Sequence, residues 1–340
     1  MRVGILTGGG DCPGLNAVIR GIVRSSNEDT EIIGIMQGWK GLIDLEYTSL
    51  TDQDVEGIHI LGGTILGTSR VNPFVVEGGV DKILNNVKKL SLDALIVIGG
   101  DDTLTVATKM VSYNLKIVGV PKTIDNDVAN TDYTFGFHTA VNVGADAIDR
   151  LQSTAKSHRR IMFVELMGRE AGWITIEAGL AAGAHLILIP EFPMTIEEIC
   201  NILRHRMEGS KYAVVAVAEG FKPTELEDMV GDKTKTDAFG HIQLGGIGHY
   251  LADIVKEKTG YDTRTVVLGH LLRGGTPTAF DRILGTRYGV SAMELVEKGD
   301  FGRMVALKGN DIISIPISYG ISTKKLVPFE YYRLAQTFFG

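Results

Sequence analysis

At 340 residues the chain is long enough for one large or two medium domains with well-filled cores, and 44% hydrophobic with 22% charged residues is an ordinary globular composition. A net charge of -7 with no basic block to offset it argues against a general nucleic-acid binder. The two cysteines, Cys12 and Cys200, make neither a CxxC pair nor a disulfide framework, and no run approaches the roughly 20 apolar residues of a membrane span, so a reducing cytoplasm and no membrane partner are expected.

The N-terminal "MRVGILTGGG" enters a strand and turn directly, with too short an apolar stretch for a signal peptide. Further β-rich apolar runs follow: "EIIGIM", "ALIVIGG", "KIVGV", "RIMFVEL", "HLILIP", "YAVVAVAE" and "TVVLGH". Stretches with helical spacing lie between them, such as "GLNAVIRGIVRSS" and "TAVNVGADAIDRLQSTAKS". This alternation predicts parallel sheets with crossover helices. The runs are too many for one mononucleotide-binding sheet, and a second series starts near Arg160. The expected architecture is therefore two α/β domains facing a cleft, with the chain crossing between them more than once. The polar stretch from Lys222 to His241 reads as a surface excursion. The scattered histidines make no HxxxH pair, which removes the simplest zinc site.

Four strand-end turns carry the chemistry. "TGGGDCPGLNAVIR" sets Gly8, Gly9 and Gly10 before a helix, where backbone NH groups can take an anion. It is not a Walker A loop, and Pro13 spoils a GxGxxG, so a tight structural turn explains the glycines equally well. "GGTILGTSR" ends in Arg70, within reach of an anion at a cleft or merely solvated. "IGGDDT" places Asp101 and Asp102 side by side at the end of a buried strand, where one carboxylate suits a metal ion that holds phosphate. "VPKTIDNDV" adds Lys122, Thr123, Asp125 and Asp127, a density of functional groups that solubility does not explain. Two aspartates near a metal and phosphates can divide their labour, one ligating Mg2+ and the other taking a proton from an attacking hydroxyl. The second half supplies Arg159, Arg160, Arg169, Arg264, His270 and Arg273, whose charges suit a phosphorylated substrate or ordinary ion pairs, and Glu219, which can accept from a sugar hydroxyl.

In order and spacing, "LTGGGDCPGLNAVIR", "GGTILGTSR", "IGGDDT", "PKTIDNDV", "TDYTFGFHTA", "DAIDR", "SHRRIMFVELMGR" and "TRTVVLGHLLRGGTPTAFDR" resemble the phosphofructokinase family from residue 2 to about residue 310. The resemblance implies two Rossmann-like three-layer α/β domains, Mg2+, and phosphoryl transfer to the 1-hydroxyl of fructose 6-phosphate. It also implies a homodimer or homotetramer with sites shared between subunits. Residues 1–137 plus about 271–320 would form the donor domain, and about 138–270 plus 321–340 the sugar-phosphate domain. Asp125 matches the family's catalytic base, Asp101 its metal-binding aspartate, and Thr123 and Asp127 its supporting loop residues. Gly10, Arg70 and Arg160 match groups around the transferred phosphoryl. Met167, Gly168, Arg169, Glu219, Arg264, His270 and Arg273 match the sugar-phosphate site, with Arg160 and Arg264 expected from a neighbouring subunit. Trp39 stands where ATP-using relatives often stack the adenine.

Two departures resemble the pyrophosphate-dependent branch of that family. ATP-using members usually carry glycine at Asp102, and often another near Val106, where the α-phosphate passes close to the backbone. A carboxylate there repels it: two unit charges about 4 Å apart interact by about 4 kcal/mol at an effective dielectric near 20. Lys122 replaces a glycine of many bacterial ATP enzymes and can meet the leaving phosphate, with Gly8 to Gly10 holding the donor. Arg20 and Arg24 remain of the basic residues that bind effectors in allosteric relatives, but Asp52, Gln152 and Glu208 occupy other basic positions, so that site is expected to be weak. The rivals are an ATP-dependent enzyme, a non-catalytic sugar-phosphate sensor, and an NAD-linked dehydrogenase, which the spoiled GxGxxG disfavours.

Overall fold

The apolar runs become strands in a computed structural model that describes residues 1–236, 239 and 242–340. In chain order these are β1 (Arg2–Thr7), β2 (Glu31–Ile35), β3 (Tyr47–Leu50), β4 (Ala94–Gly99), β5 (Ile117–Pro121), β6 (Ile161–Leu166), β7 (Leu186–Leu188), β8 (Ala213–Ala218), β9 (Gly231–Thr236), β10 (Ile242–Leu244), β11 (Thr263–Val267), β12 (Arg303–Lys308) and β13 (Asp311–Pro316). A seven-stranded sheet runs β13-β12-β5-β4-β1-β2-β3, and a four-stranded sheet runs β11-β6-β8-β7. β9 lies inside the expected polar excursion, the end of which lies outside the described residues, and pairs with β10, which follows it.

The four-stranded sheet is parallel as expected, but the larger sheet is mixed. β3 pairs antiparallel with β2 at one edge, and β13 antiparallel with β12 at the other. Central strands buried on both faces read as continuous apolar runs, as in β4, β6 and β8. The edge strands lack that signature: β3 exposes most of its residues and β13 is half-buried throughout. The tight turn between β12 and β13 is Gly309-Asn310, with Gly309 in the left-handed region at φ 59°. Among the described residues, no helix is long and apolar enough to cross a membrane.

Helices cover these sheets, and two contacts decide where the cleft residues stand. The helix Leu15–Ser25 lies against the helix Ala279–Lys298 at backbone distance: a Cβ on Gly289 would stand 2.3 Å from the Val18 carbonyl oxygen, and one on Gly21 2.6 Å from that of Thr286. Buried Asp281 then ties the start of helix Ala279–Lys298 to the helix Phe137–His158, accepting from Thr139 N at 2.7 Å and Thr139 Oγ1 at 2.6 Å. The segment that carries Arg273 therefore leaves a fixed point. A late stretch, residues 320–327, returns over the loop after β5: Ala129 N donates to Gly320 O, and Lys325 N to Asp127 O, at 3.0 and 2.9 Å.

Because neither backbone can retreat, Gly289→Ala should cost about 1–3 kcal/mol by overpacking. Urea unfolding should show a lower midpoint at an unchanged slope. A midpoint equal to that of the parent would refute the close approach.

Candidate active site

Three adjacent strands, β5, β4 and β1, end at one cleft, and each hands its last residue to a turn rich in function-capable groups. The carboxyl ends of parallel strands are where such sheets bind ligands, because the crossovers leave a crevice there. After β1, Gly8 N donates to Ile98 O at 2.9 Å and Gly9 N to Ser69 O at 3.0 Å. Gly9 takes φ 80°, which a side chain would resist, and a Cβ on Gly10 would lie 2.5 Å from Arg273 Nη1. Thr68 Oγ1 donates to Gly9 O at 2.6 Å, so the segment bearing Arg70 is laced to the glycine turn. Gly8 faces Thr103 and not the cavity, whereas Gly9, Gly10 and Arg70 line it.

After β4, Gly100 precedes the helix Asp101–Val111, so the expected glycine turn is at once a helix start. Both carboxylates sit in its first turn, a position the helix dipole favours for negative charge, and both line the cavity. After β5, Lys122 is 4% exposed, and its ammonium donates to the Gly10 carbonyl, joining the β1 and β5 turns. Burial lowers its pKa, with Arg273 acting in the same direction and Cys12, Asp125 and Asp11 opposing. Asp125 N donates to Thr123 Oγ1 at 3.0 Å, while its own Oδ1 is buried with no hydrogen bond from the described residues. Burial raises the Asp125 pKa, and Arg273, Arg169, Lys122 and Lys324 pull it back. The Asp127 carboxyl is pushed up to about 7, by burial first and by Asp125 second. Asn126, between them, is in the left-handed region at φ 53°.

The other wall comes from the turn after β6. Arg169, at φ 50°, lines the cavity, and Glu219 Oε1 braces its loop by accepting from Gly168 N at 3.3 Å and Arg169 N at 3.1 Å. Met167 is buried beside that loop, and neither it nor Glu219 lines the cavity. Arg273 and Lys324 complete the wall, Lys324 with Glu170 at 2.5 Å. Of the residues singled out by sequence, Arg160, Arg264 and His270 are not brought to this cavity. Arg160 and Arg264 both meet Asp262, at 3.3 and 2.6 Å, and His270 is exposed in the turn Gly269–Arg273.

Two expectations are corrected. Trp39 is 2% exposed in a hydrophobic core with Leu42 and Ile43, so its ring offers no face to an adenine. Val106 is likewise packed into that core, not turned to the cleft. Sequence reasoning passed over two charged lining residues, Asp11 and Lys324. Asp11 was visible inside "GGGDC"; Lys324 had no local signal, since it arrives on the late 320–327 stretch. Elsewhere, Arg24 is paired with Asp52 at 2.7 Å in a concavity shared with Arg20, Gln53 and Glu56.

A family profile for phosphofructokinase matches residues 2–296. A pyrophosphate–fructose 6-phosphate 1-phosphotransferase of Amycolatopsis methanolica is 53% identical over the full length of both chains. An ATP-dependent 6-phosphofructokinase of Corynebacterium efficiens is 49% identical, covering 100% of this chain and 99% of its own. Among solved structures, the phosphofructokinase of Pichia pastoris in its T-state superposes with a TM-score of 0.83 at 30% identity, over 99% of this chain and 36% of that one.

The raised Asp127 pKa has a thermodynamic signature. The unfolded carboxyl ionises near 3.9, so from about pH 4 to about 7 the folded state binds more protons and this group's contribution to stability is lost as pH rises. Without divalent ions, Asp127→Asn should therefore gain stability relative to the parent at pH 8 compared with pH 5, measured by urea unfolding. An equal difference at both pH values would contradict the shift.

Proposed function

The chain belongs to the phosphofructokinase family, and we propose that it transfers a phosphoryl group reversibly from pyrophosphate to the 1-hydroxyl of fructose 6-phosphate, giving fructose 1,6-bisphosphate and phosphate. The observation that carries the choice of donor is the pairing of a second carboxylate, Asp102, with a buried cation, Lys122, in one cavity. Asp102 opposes an α-phosphate by charge and bulk, and Lys122 supplies the counter-charge for a departing phosphate. Relatives of both donor types are similar to the chain, so the site and not the overall likeness has to decide.

In the proposed reaction the 1-hydroxyl oxygen bonds to the terminal phosphorus, the bond from that phosphorus to the departing phosphate breaks, and Asp125 takes the hydroxyl proton. The orphaned Oδ1 of Asp125 is a ready acceptor. Burial raises its pKa, and Arg273, Arg169, Lys122 and Lys324 oppose that rise, favouring the carboxylate form that a base requires. Gly9, Gly10, Arg70 and Lys122 hold the donor, while Gly8, expected there from sequence, only shapes the turn. Arg169 and Arg273 balance charge on the sugar-phosphate side, and Thr123 and Asp127 support the base. Met167, Gly168, Glu219 and His270 serve the sugar phosphate.

The cavity also fits Mg2+: its donors are carboxylate oxygens, and this ion characteristically takes one or two carboxylates plus substrate phosphates instead of a protein cage. Asp101 would hold it, and when bound it neutralises phosphate charge. Arg160 and Arg264 stand on the β6–β11 side, away from this chain's own cavity, which supports a homo-oligomer whose subunits exchange them. The donor domain would comprise 1–137 plus about 271–320, and the sugar-phosphate domain the remainder. The work belongs in the cytoplasm.

Asp125→Ser should cut kcat by about 10²- to 10⁴-fold while fructose 6-phosphate still binds. Unchanged turnover would remove Asp125 from the role of base. Side by side, pyrophosphate should far exceed ATP in kcat/KM for the parent. Asp102→Gly should raise the ATP value, by several hundredfold at most on the roughly 4 kcal/mol of repulsion, and Lys122→Gly should damage pyrophosphate use more than Asp102→Gly does. A parent that prefers ATP, or a donor ratio indifferent to Asp102→Gly, would overturn the donor assignment.

A further inference from the structure

We propose that Lys325 is a positioning residue for Asp125: its ammonium holds the Asp125–Asp127 turn in the conformation that aims the base into the cavity. The inference rests on the reading of Asp125 as the base. Lys325 lies far from the strand-end turns in sequence and beyond residues 2–296, which the family profile matches, yet its three ammonium hydrogens have three acceptors. Nζ donates to Asn126 Oδ1 at 2.8 Å, to Thr131 O at 3.0 Å and to Asp132 O at 2.7 Å. All three are neutral amide oxygens on the loop that follows β5. The rings of Tyr133 and Trp173 flank the charge, with centroids 5.9 and 5.5 Å away.

The residue is also pinned through its backbone. Its N donates to Asp127 O at 2.9 Å, and its carbonyl accepts from Trp173 Nε1 at 2.8 Å. Lys325 thus bridges the loop to the start of the helix Trp173–Ala181, next to the turn that carries Arg169. Asn126 is the link to catalysis. It is 1% exposed and in the left-handed region, a conformation that asparagine tolerates better than most residues but that still needs holding. Its Oδ1 takes the Lys325 ammonium and Thr134 N, the latter at 3.2 Å, and Thr134 Oγ1 donates to Thr123 O at 2.8 Å. The turn is therefore clamped by Thr134 on one side and Lys325 on the other. Its two carboxylates flank the residue those clamps fix, so a change at Asn126 would re-aim Asp125 and Asp127 together.

The test is a double-mutant cycle on the pyrophosphate-driven reaction. Lys325→Met keeps the apolar stem, takes the ammonium from the Thr131 and Asp132 carbonyls, and leaves Asn126 Oδ1 with Thr134 N alone. In the parent it should lower kcat by about 10- to 100-fold, the cost of a misplacement near 1 Å, while the fructose 6-phosphate dissociation constant from calorimetry changes less than about threefold. In the Asp125→Ser background the same change should cost less than about threefold, because two residues acting as one unit do not add. A purely structural staple would cost the same in both backgrounds, and that outcome would overturn the proposal. So would a Lys325→Met enzyme with parental kcat. If Lys325→Met does not fold, as read by circular dichroism, Lys325→Gln retains two amide donors and takes its place in the cycle against the same criteria. If Asp125→Ser turns over like the parent, the base reading fails and this inference with it. If Asp125→Ser is slow and Lys325→Met is not, the base reading stands and the inference alone fails.

Discussion

The cleft depends on one buried cation. Lys122 sits where the ends of β1, β4 and β5 converge, its ammonium on the Gly10 carbonyl and its backbone N on Gly99 O at 2.9 Å, so a single residue binds all three strand ends together. An ammonium that deep is tolerated only because carboxylates and carbonyls surround it. The turns around Lys122 are laced by hydrogen bonds, Thr68 Oγ1 to Gly9 O at 2.6 Å among them, and not left as open loops. The glycines fit the same logic: Gly10 yields the space that Arg273 occupies, and Gly9 supplies the left-handed backbone at φ 80°.

Charge in the cavity is balanced before any ligand arrives. Among the described residues lining it, Arg70, Lys122, Arg169, Arg273 and Lys324 face Asp11, Asp101, Asp102, Asp125 and Asp127, five of each sign. Such a site does not attract phosphate by net charge; it sorts charge locally, and an anion enters only where the donors converge. That arrangement makes a single extra carboxylate such as Asp102 selective and not merely repulsive, because its field acts over a few ångströms among screening cations.

The parallel strands were legible because burial on both faces leaves an apolar run, and the strand-end turns because glycine, lysine and aspartate crowd there for no solubility reason. β3 and β13 were not, since edge strands carry no such run, and the interior strand β12 was passed over although its "MVAL" is buried; the Gly309-Asn310 turn was the one clue to the hairpin. Trp39 misled in the opposite sense. An aromatic near a glycine reads alike whether it stacks on a ligand or fills a core, and only the fold of Trp39 against Leu42 distinguishes them. Lys324 and Lys325 were invisible because their partners are distant in sequence, as with Asn126 and Lys325, 199 positions apart, and no local pattern encodes such a pair.

That separation has a bearing on biosynthesis. The loop carrying Asp125 emerges from the ribosome well before the strap of residues 320–327 that closes over it, Lys325 following Asn126 by 199 positions. Until then the carbonyls of Thr131 and Asp132 and the amide of Asn126 must be hydrated, and the first sheet also lacks β12 and β13. Contacts of such long range are slow to close and leave an open sheet edge in the meantime. The order of synthesis thus delays completion of the cavity until the strap has emerged, so a nascent chain that stops short of it holds its donor-side turns without the residues that aim the base.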